Sequence, residues 1–423
     1  MFKDLFKKET FSWALYDWAN SAFSTSIMAG FFPIFFKSYW NTGVEASVST
    51  ARLGFTNAAA SLVIALIAPF IGTFADEAGA KKKFLFWGVL MGSLATLAFA
   101  AIGEGDWMWA SACYVVAIVA FSVTILFYDA LLPSVSSPRN VDFISAGGYA
   151  LGYLGGGVLL LLNVLMFKDP EAWGLADKTM AVRTAFISVG VWWFLFSLPL
   201  FVFVKEPFAK REQPLTVIFR KTLRELRGTF RKLFGMKEVL YFMLAYWLYI
   251  DGVHTIIKMA IDFGVAIGFG TSDLISALLI VQFVGFPAGF LFGYLGQKWN
   301  VKKSILLGIA CYVVVVFWAL SMKTVGEFYM MATLIGLVQG CVQALSRSFY
   351  TRLIPAENAG EFFGFYNLVG KAASVLGPTL VGVVTYASGS NRWGISSLLL
   401  LLVGGGALLY FKVGNPERVQ ENP

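Results

Sequence analysis

Two stretches far apart in the chain read alike: Gly72-Thr-Phe-Ala-Asp76-Glu-Ala-Gly79-Ala-Lys81-Lys82 and Gly293-Tyr-Leu-Gly-Gln297-Lys-Trp-Asn300-Val-Lys302-Lys303. Each has a glycine, a polar side chain four positions on, a turn-former three later, and then a lysine pair. Each lies between two long apolar segments. Phe127-Tyr-Asp-Ala-Leu-Leu-Pro133 and Phe349-Tyr-Thr-Arg-Leu-Ile-Pro355 repeat at nearly the same offset, 222 residues against 221. Two matches at one spacing point to a chain of two parallel repeats, an architecture used by membrane transporters.

Composition agrees. Of 423 residues 58% are hydrophobic and only 14% charged, against roughly 25% charged in soluble domains. Uncharged runs near or above the ~20 residues needed to cross a bilayer recur throughout. They are continuous, not alternating, so a β-barrel is excluded. The fold expected is an all-α polytopic membrane protein with twelve transmembrane helices in two six-helix halves. The segments are roughly 11–36, 52–74, 84–103, 107–131, 143–167, 184–204, 238–268, 274–297, 304–322, 326–350, 361–386 and 393–411. Residues 1–204 form the first half, 205–237 a linker and 238–423 the second half. In the linker, Leu215, Phe219, Leu223, Leu226, Phe230 and Leu233 recur at helical spacing among four arginines. That spacing predicts an amphipathic helix on the membrane face or docked under the bundle.

Of 33 Lys and Arg, 23 fall in termini and loops on the N-terminal side and seven on the other. This bias places both termini in the cytoplasm. It also accounts for the net charge of +8 without nucleic acid. Compact loops suggest a bacterial inner membrane, and a monomer is expected. The N-terminal segment has no small-residue cleavage site and is expected to be retained. Cys113, Cys311 and Cys341 lie in apolar segments and form neither a disulfide framework nor a metal spacing. No metal or other cofactor is expected. Gly364-x5-Gly370-Lys371-Ala372 is one residue too long for a phosphate loop and lacks its Ser/Thr, so neither an ATP-driven pump nor an enzyme is indicated.

Charge inside the membrane is costly and must face a cavity or a partner. Segments three, six, nine and twelve carry none. The charged intramembrane residues are Asp17 (segment one), Asp129 (four), Asp251, His254, Lys258 and Asp262 (seven), Arg347 (ten) and Lys371 (eleven). Every third helix is therefore expected to face lipid. Gly148-x3-Gly152-x3-Gly156 and Gly285-x3-Gly289-x3-Gly293 read as close packing between rocking halves.

These features together resemble the major facilitator superfamily over nearly the whole chain. Ser12-Trp-Ala-Leu-Tyr16-Asp17-Trp18-Ala-Asn20-Ser21-Ala-Phe23, Tyr249-Ile-Asp251-Gly252-Val-His254-Thr255, Gly370-Lys371 and Gly377-Pro378 are similar to the autophagy-related vacuole effluxer branch and its bacterial relatives. The resemblance implies export of amino acids or similar small solutes by secondary, alternating-access transport, and the intramembrane acids point to protons as the coupling ion. It also implies a conformational latch in the first loop copy: Gly72, Asp76, Gly79, Lys81 and Lys82. The acid of that loop would sit near the start of segment eleven, where the helix dipole favours an anion. Gln297, its counterpart, would be a relic.

Candidate roles follow. Asp17, Asn20, Ser21 and Ser24 share one stripe of segment one. Asp251, His254, Lys258 and Asp262 share a stripe of segment seven. Asp17, Asp251 and Asp262 are the proton-coupling candidates, with Asp17 and Asp251 expected to face each other across the cavity. Lys371, Asn20, His254, Asn367 and Gln343 are candidates for substrate binding, Lys371 for an anionic group. Lys258, Arg347 and Asp129 are charge partners, Arg347 pairing with Asp129 or reaching the interface. A self-neutralised ladder on segment seven and a packing network on segment one stand as structural alternatives. An exporter of amphipathic molecules and a non-transporting receptor are the other functional readings.

Overall fold

The computed structural model describes residues 2–44, 46–206, 235–372 and 376–415. Among them the chain is helical and has no strand. The spanning helices are α1 (Lys8–Trp40), α2 (Ala46–Ala78), α3 (Lys81–Ala101), α4 (Trp107–Ala130), α5 (Val141–Lys168), α6 (Lys178–Phe203), α7 (Lys237–Ile267), α8 (Thr271–Lys298), α9 (Val301–Ser321), α10 (Val325–Leu353) and α12 (Arg392–Lys412). α11 is described as two pieces, Ala359–Ala372 and Leu376–Ser388. Eleven of the described helices are long and apolar enough to span a membrane. α11 occupies the remaining expected position. The expected linker helix falls on residues 207–234, outside the described residues.

Buried apolar side chains form two clusters. One runs from Leu5 to Val204, the other from Val239 to Val413 with Ala130 added. Each six-helix half therefore has its own apolar core. α3, α6, α9 and α12 show exposed apolar faces, among them Trp87, Leu195, Phe317 and Leu400. That is the surface expected toward lipid, because a helix apolar all round suits hydrocarbon.

The halves meet where small residues let backbones approach. Gly289 would place a Cβ 2.9 Å from Ala150 Cβ, and Gly285 one 2.9 Å from the Tyr153 ring. These α8 glycines thus face α5 of the other half. The α5 glycines do something else. A Cβ on Gly148 would lie 2.8 Å from Asp17 Oδ2, one on Gly152 2.6 Å from Ser21 Oγ, and one on Gly156 3.0 Å from Thr25 Oγ1. The expectation that both stripes pack between halves is corrected. The α5 stripe holds α1 within the first half, because the small face there must clear polar side chains of α1.

α1 departs from regular geometry over Phe23–Phe31 and Phe36–Trp40, which are π-helical. The sequence supplies the cause. Ser24 and Thr25 hydroxyls donate back to the Ser21 carbonyl (3.0 and 2.9 Å), competing with the backbone ladder. Pro33 removes a donor further on. Widening of this kind often marks functional stretches.

Gly289→Val forces two methyl groups against α5. Overpacking of about 1–3 kcal/mol should lower the thermal unfolding midpoint in detergent, whereas valine at lipid-facing Val314 replaced by leucine should leave it unchanged.

Candidate functional site

A cavity of about 470 Å³ lies between the halves, lined by α1, α4, α5, α7, α8, α10 and α11 and by no residue of α3, α6, α9 or α12. Along α10 it runs from Phe328 to Arg347, roughly 28 Å at 1.5 Å per residue. Phe328 lies in the first turn of α10 and Leu274 in the first turn of α8. The cavity therefore reaches the side of the membrane opposite the termini. On the terminal side it ends at Arg347.

Arg347 is 2% exposed and comes from the second half. Every strong partner it has is in the first. Nη1 donates to Asp129 Oδ1 (2.9 Å), Nε to Ser145 Oγ (2.9 Å) and Nη2 to the Ser145 carbonyl (2.8 Å). Asp17 Oδ2 lies 3.8 Å from Nη2 and accepts from the Tyr128 hydroxyl at 2.8 Å. The guanidinium also stands 4.5–5.2 Å from the rings of Tyr149, Trp13 and Tyr128. Trp13 stacks on Tyr128 at 4.3 Å and donates to the Tyr128 carbonyl. Desolvating an arginine costs several kcal/mol. It is offset only where charge, hydrogen bonds and aromatic faces are all supplied.

Below Arg347 the terminal side is closed by two further junctions. In the first, Asp76 pairs with Lys81 Nζ at 2.7 Å and accepts from the Gly360 and Glu361 N–H groups at 3.1 and 2.6 Å. Its carboxylate thus caps the start of α11 from α2, a place where negative charge is favoured. Gly72 is needed because any Cβ there would strike the Gly360 carbonyl. Gly79 has φ +58°, which favours glycine. Lys82 Nζ donates to the Val204 carbonyl (2.5 Å), and Glu206 accepts from the Lys81 and Lys82 N–H groups (2.8 and 3.3 Å), capping α3. In the second junction, α5 meets α10: Asp142, fully buried, takes Arg352 at 2.6 Å and Ser348 at 2.7 Å. Gln297 reaches the Arg139 carbonyl beside it. Gln297 thus sits at the counterpart of the Asp76 junction and bridges the halves with an amide.

The α1 stripe of Asp17, Asn20, Ser21 and Ser24 lines the cavity, as do His254, Lys258, Gln343 and Asn367. Asn20 is 2% exposed and its Nδ2 has no partner among the described residues. Asn367 donates to the Phe363 carbonyl (3.0 Å). Asp251 is elsewhere. It is fully buried, does not line the cavity, and accepts from the Gly377 N–H (3.0 Å) and Thr255 hydroxyl (3.3 Å). The expected facing pair of Asp17 and Asp251 is therefore not formed. The Gly377 N–H holds the carboxylate against α11, and Thr255 one turn on along α7 adds a second donor. Asp251 and Lys258 are not in direct contact among the described residues, and act on each other only as neighbouring opposite charges. The side chains of Asp262 and Lys371 lie outside the described ones. Tyr128, Ser145, Tyr149, Asp142 and Glu206 were not singled out in the sequence. Only Tyr128 carried a signal, as part of the repeated Phe-Tyr pair.

Comparison with known proteins gives one consistent answer. The family model for vacuole effluxer Atg22-like proteins matches residues 6–141 and 139–419. The MFS-type transporter YxiO of Bacillus subtilis (strain 168) is 36% identical over 408 residues, 96% of this chain and 95% of that protein. Autophagy-related protein 22 of Eremothecium gossypii is 24% identical over 458 residues, 94% of this chain and 89% of that protein. Among solved structures, the proton:xylose symporter XylE bound to 6-bromo-6-deoxy-D-glucose superposes with a TM-score of 0.73 at 13% identity, covering 97% of this chain and 95% of that one. The human organic anion transporter MFSD10 (TETRAN) gives 0.70 at 13%, covering 95% and 99%. At such identity these two bear on the fold alone.

Asp129→Ala should destabilise the protein by about 3 kcal/mol, because it removes the directly hydrogen-bonded carboxylate of a buried guanidinium and leaves only the more distant Asp17. The double variant Asp129→Ala/Arg347→Met should recover much of that loss in thermal unfolding. A double variant as unstable as the single one contradicts the ion-pair assignment.

Proposed function

The chain belongs to the vacuole effluxer Atg22-like family of major facilitator transporters, and from that premise we propose that its cargo is a small, polar, amino-acid-like solute moved with protons by alternating access. The observation that carries this is the split polarity of the cavity. Asp17 and Asp129 come from the first half. Arg347, His254 and Lys258 come from the second. A dipolar solute lying between them engages both halves at once, which ties its presence to their movement. Charged groups set on both sides of a lining that also carries Phe121, Ile125, Leu160 and Met331 favour a dipolar solute with an apolar part. The family's description as effluxers makes export the direction we propose, from a bacterial inner membrane with both termini cytoplasmic.

Roles are proposed on the same basis. Asn20, with an unpartnered amide at the wall, His254, Gln343 and Asn367 contact the solute. Lys258 or Lys371 receives its anionic group. Asp17, beside Arg347 but held by one tyrosine hydroxyl, exchanges the proton. Protonating it weakens its pull on the guanidinium and loosens the Arg347–Asp129 contact between halves. Asp76, Gly72, Gly79, Lys81 and Lys82 act as the latch. The division into 1–204, 205–237 and 238–423, and function as a monomer, complete the proposal.

Flux of an amino-acid and dipeptide panel in proteoliposomes, with and without a pH gradient, tests it. Gradient-stimulated flux is expected for wild type, and Asp17→Asn should lower that stimulation at least tenfold. Lys258→Gln should raise the apparent KM for anionic or dipolar solutes several-fold and leave the protein folded. A panel in which nothing moves, or flux indifferent to pH, counts against the respective part. For the latch, Asp76→Asn should increase modification of a cysteine placed at Glu361, while Gln297→Ala should change it less.

A further inference from the structure

Three polar atoms in the cavity wall meet no partner among the described residues: Asn20 Nδ2 on α1, Ser122 Oγ on α4 and Gln282 Nε2 on α8. Their side chains all line the cavity and are more than nine-tenths buried. Asn20 and Ser122 belong to the first half, Gln282 to the second. A buried polar group left unpaired is costly. A cavity wall that keeps three of them is completed by what enters the cavity.

Packing contacts fix their depth. α1 and α4 run antiparallel: the Tyr16 ring lies 5.0 Å from that of Tyr128, and the Phe23 ring 5.3 Å from that of Phe121. Ser122 therefore stands level with the stretch of α1 just after Asn20. α1 and α5 run parallel. A Cβ on Gly152 would meet Ser21 Oγ and one on Gly156 Thr25 Oγ1, while one on the next residue, Gly157, would lie 3.0 Å from Gln282 Cβ. Gln282 thus stands about six residues beyond Asn20, roughly 9 Å at 1.5 Å per residue. Asp17 lies one turn to the other side of Asn20. A belt of neutral polar groups therefore lies directly above the charged floor of Asp17, Asp129 and Arg347.

The belt has its own chemistry. A primary amide carries an N–H donor and a carbonyl acceptor, and a serine hydroxyl can both donate and accept. A peptide group presents the complementary pair, one C=O and one N–H. A carboxylate or an ammonium alone uses only one of the two functions. Terminal amide torsions are broad, so Asn20 and Gln282 can turn to meet such a group at little cost.

We infer that Gln282, with Asn20 and Ser122, forms a subsite for a peptide group, which makes the cargo a dipeptide-like solute. Its cationic end lies toward Asp17 and its peptide bond in the neutral belt. Gln282 is the member supplied by the second half, so the peptide group itself is held from both halves. This rests on the transport reading for the dipolar cargo, and narrows it. A site built to hydrogen-bond a group rejects an analogue lacking it, because its own polar atoms are then left unpaired.

Ligand-dependent thermal unfolding of the full chain in detergent tests this with two probes of matched length and charge. Glycylglycine carries the peptide group, and 5-aminopentanoate has two methylenes in its place. Wild type should bind glycylglycine at least tenfold more tightly. Gln282→Leu should unfold no earlier than wild type without ligand, since it removes an unpaired buried amide, and should bind the two probes alike. Ser122→Ala, a change of one oxygen, should narrow the preference several-fold and serves where Gln282→Leu does not fold. Asn163→Leu is the control: Asn163 Nδ2 is also buried without a partner among the described residues, but Asn163 does not line the cavity. It should keep the tenfold preference. The inference is overturned if wild type binds both probes alike or neither. It is equally overturned if Gln282→Leu, or Ser122→Ala in its place, keeps the full preference, the pattern of an interhelical packing residue. Proton-stimulated flux of free amino acids without a preference for glycylglycine would sink the subsite and leave the transport reading standing. Selective glycylglycine binding without flux of any solute would do the reverse.

Discussion

A buried arginine must be neutralised where it sits, and Arg347 is neutralised by the wrong half of the molecule. Its carboxylate partners, its backbone acceptor and its aromatic faces all belong to the first half, while α10 carries it from the second. In hydrocarbon, water cannot replace those partners. The halves can therefore separate at this level only if the charge cluster is rearranged. The closed terminal side and the cavity floor both depend on this one insertion.

The packing around it is arranged to allow two states. Contacts between halves combine glycine faces and polar junctions (α8 glycines on α5, Gly72 on Gly360, Asp76 on the start of α11, Asp142 on Arg352) with apolar packing of Ile275, Leu279 and Phe290 on the first half. Each half keeps its own apolar core. The polar links are few and specific, so they are the contacts most costly to break without replacement. That is the division of labour alternating access requires, with bistable junctions between stiff bodies.

Much of this was legible in the chain. The duplicated Gly72 and Gly293 loops, the long apolar runs and the charge-free third, sixth, ninth and twelfth segments specify the architecture, because hydrocarbon leaves so few alternatives. The stripe from Asp17 to Ser24 faces the cavity since helical period fixes which residues share a face. Period does not say which neighbour that face meets. Asp251 and His254 lie three residues apart, yet one turns to Gly377 and the other to the cavity. The α5 glycines look the same as those of α8 and serve α1 instead. Asp142 sits in an ordinary first turn, and nothing nearby in sequence announces Arg352, more than two hundred residues on. Ser145 and Tyr149 join the Arg347 cage through packing alone. The widened stretch of α1 depends on hydroxyl geometry that residue identity only permits.

The closed terminal side rests on the Arg347 cluster. The most direct measurement is the distance between spin labels at the terminal ends of α5 and α10, compared in wild type and Arg347→Gln. Longer distances are expected in Arg347→Gln, with a correspondingly shorter separation of labels on the far side. Unchanged distances on both sides in a folded variant would contradict it.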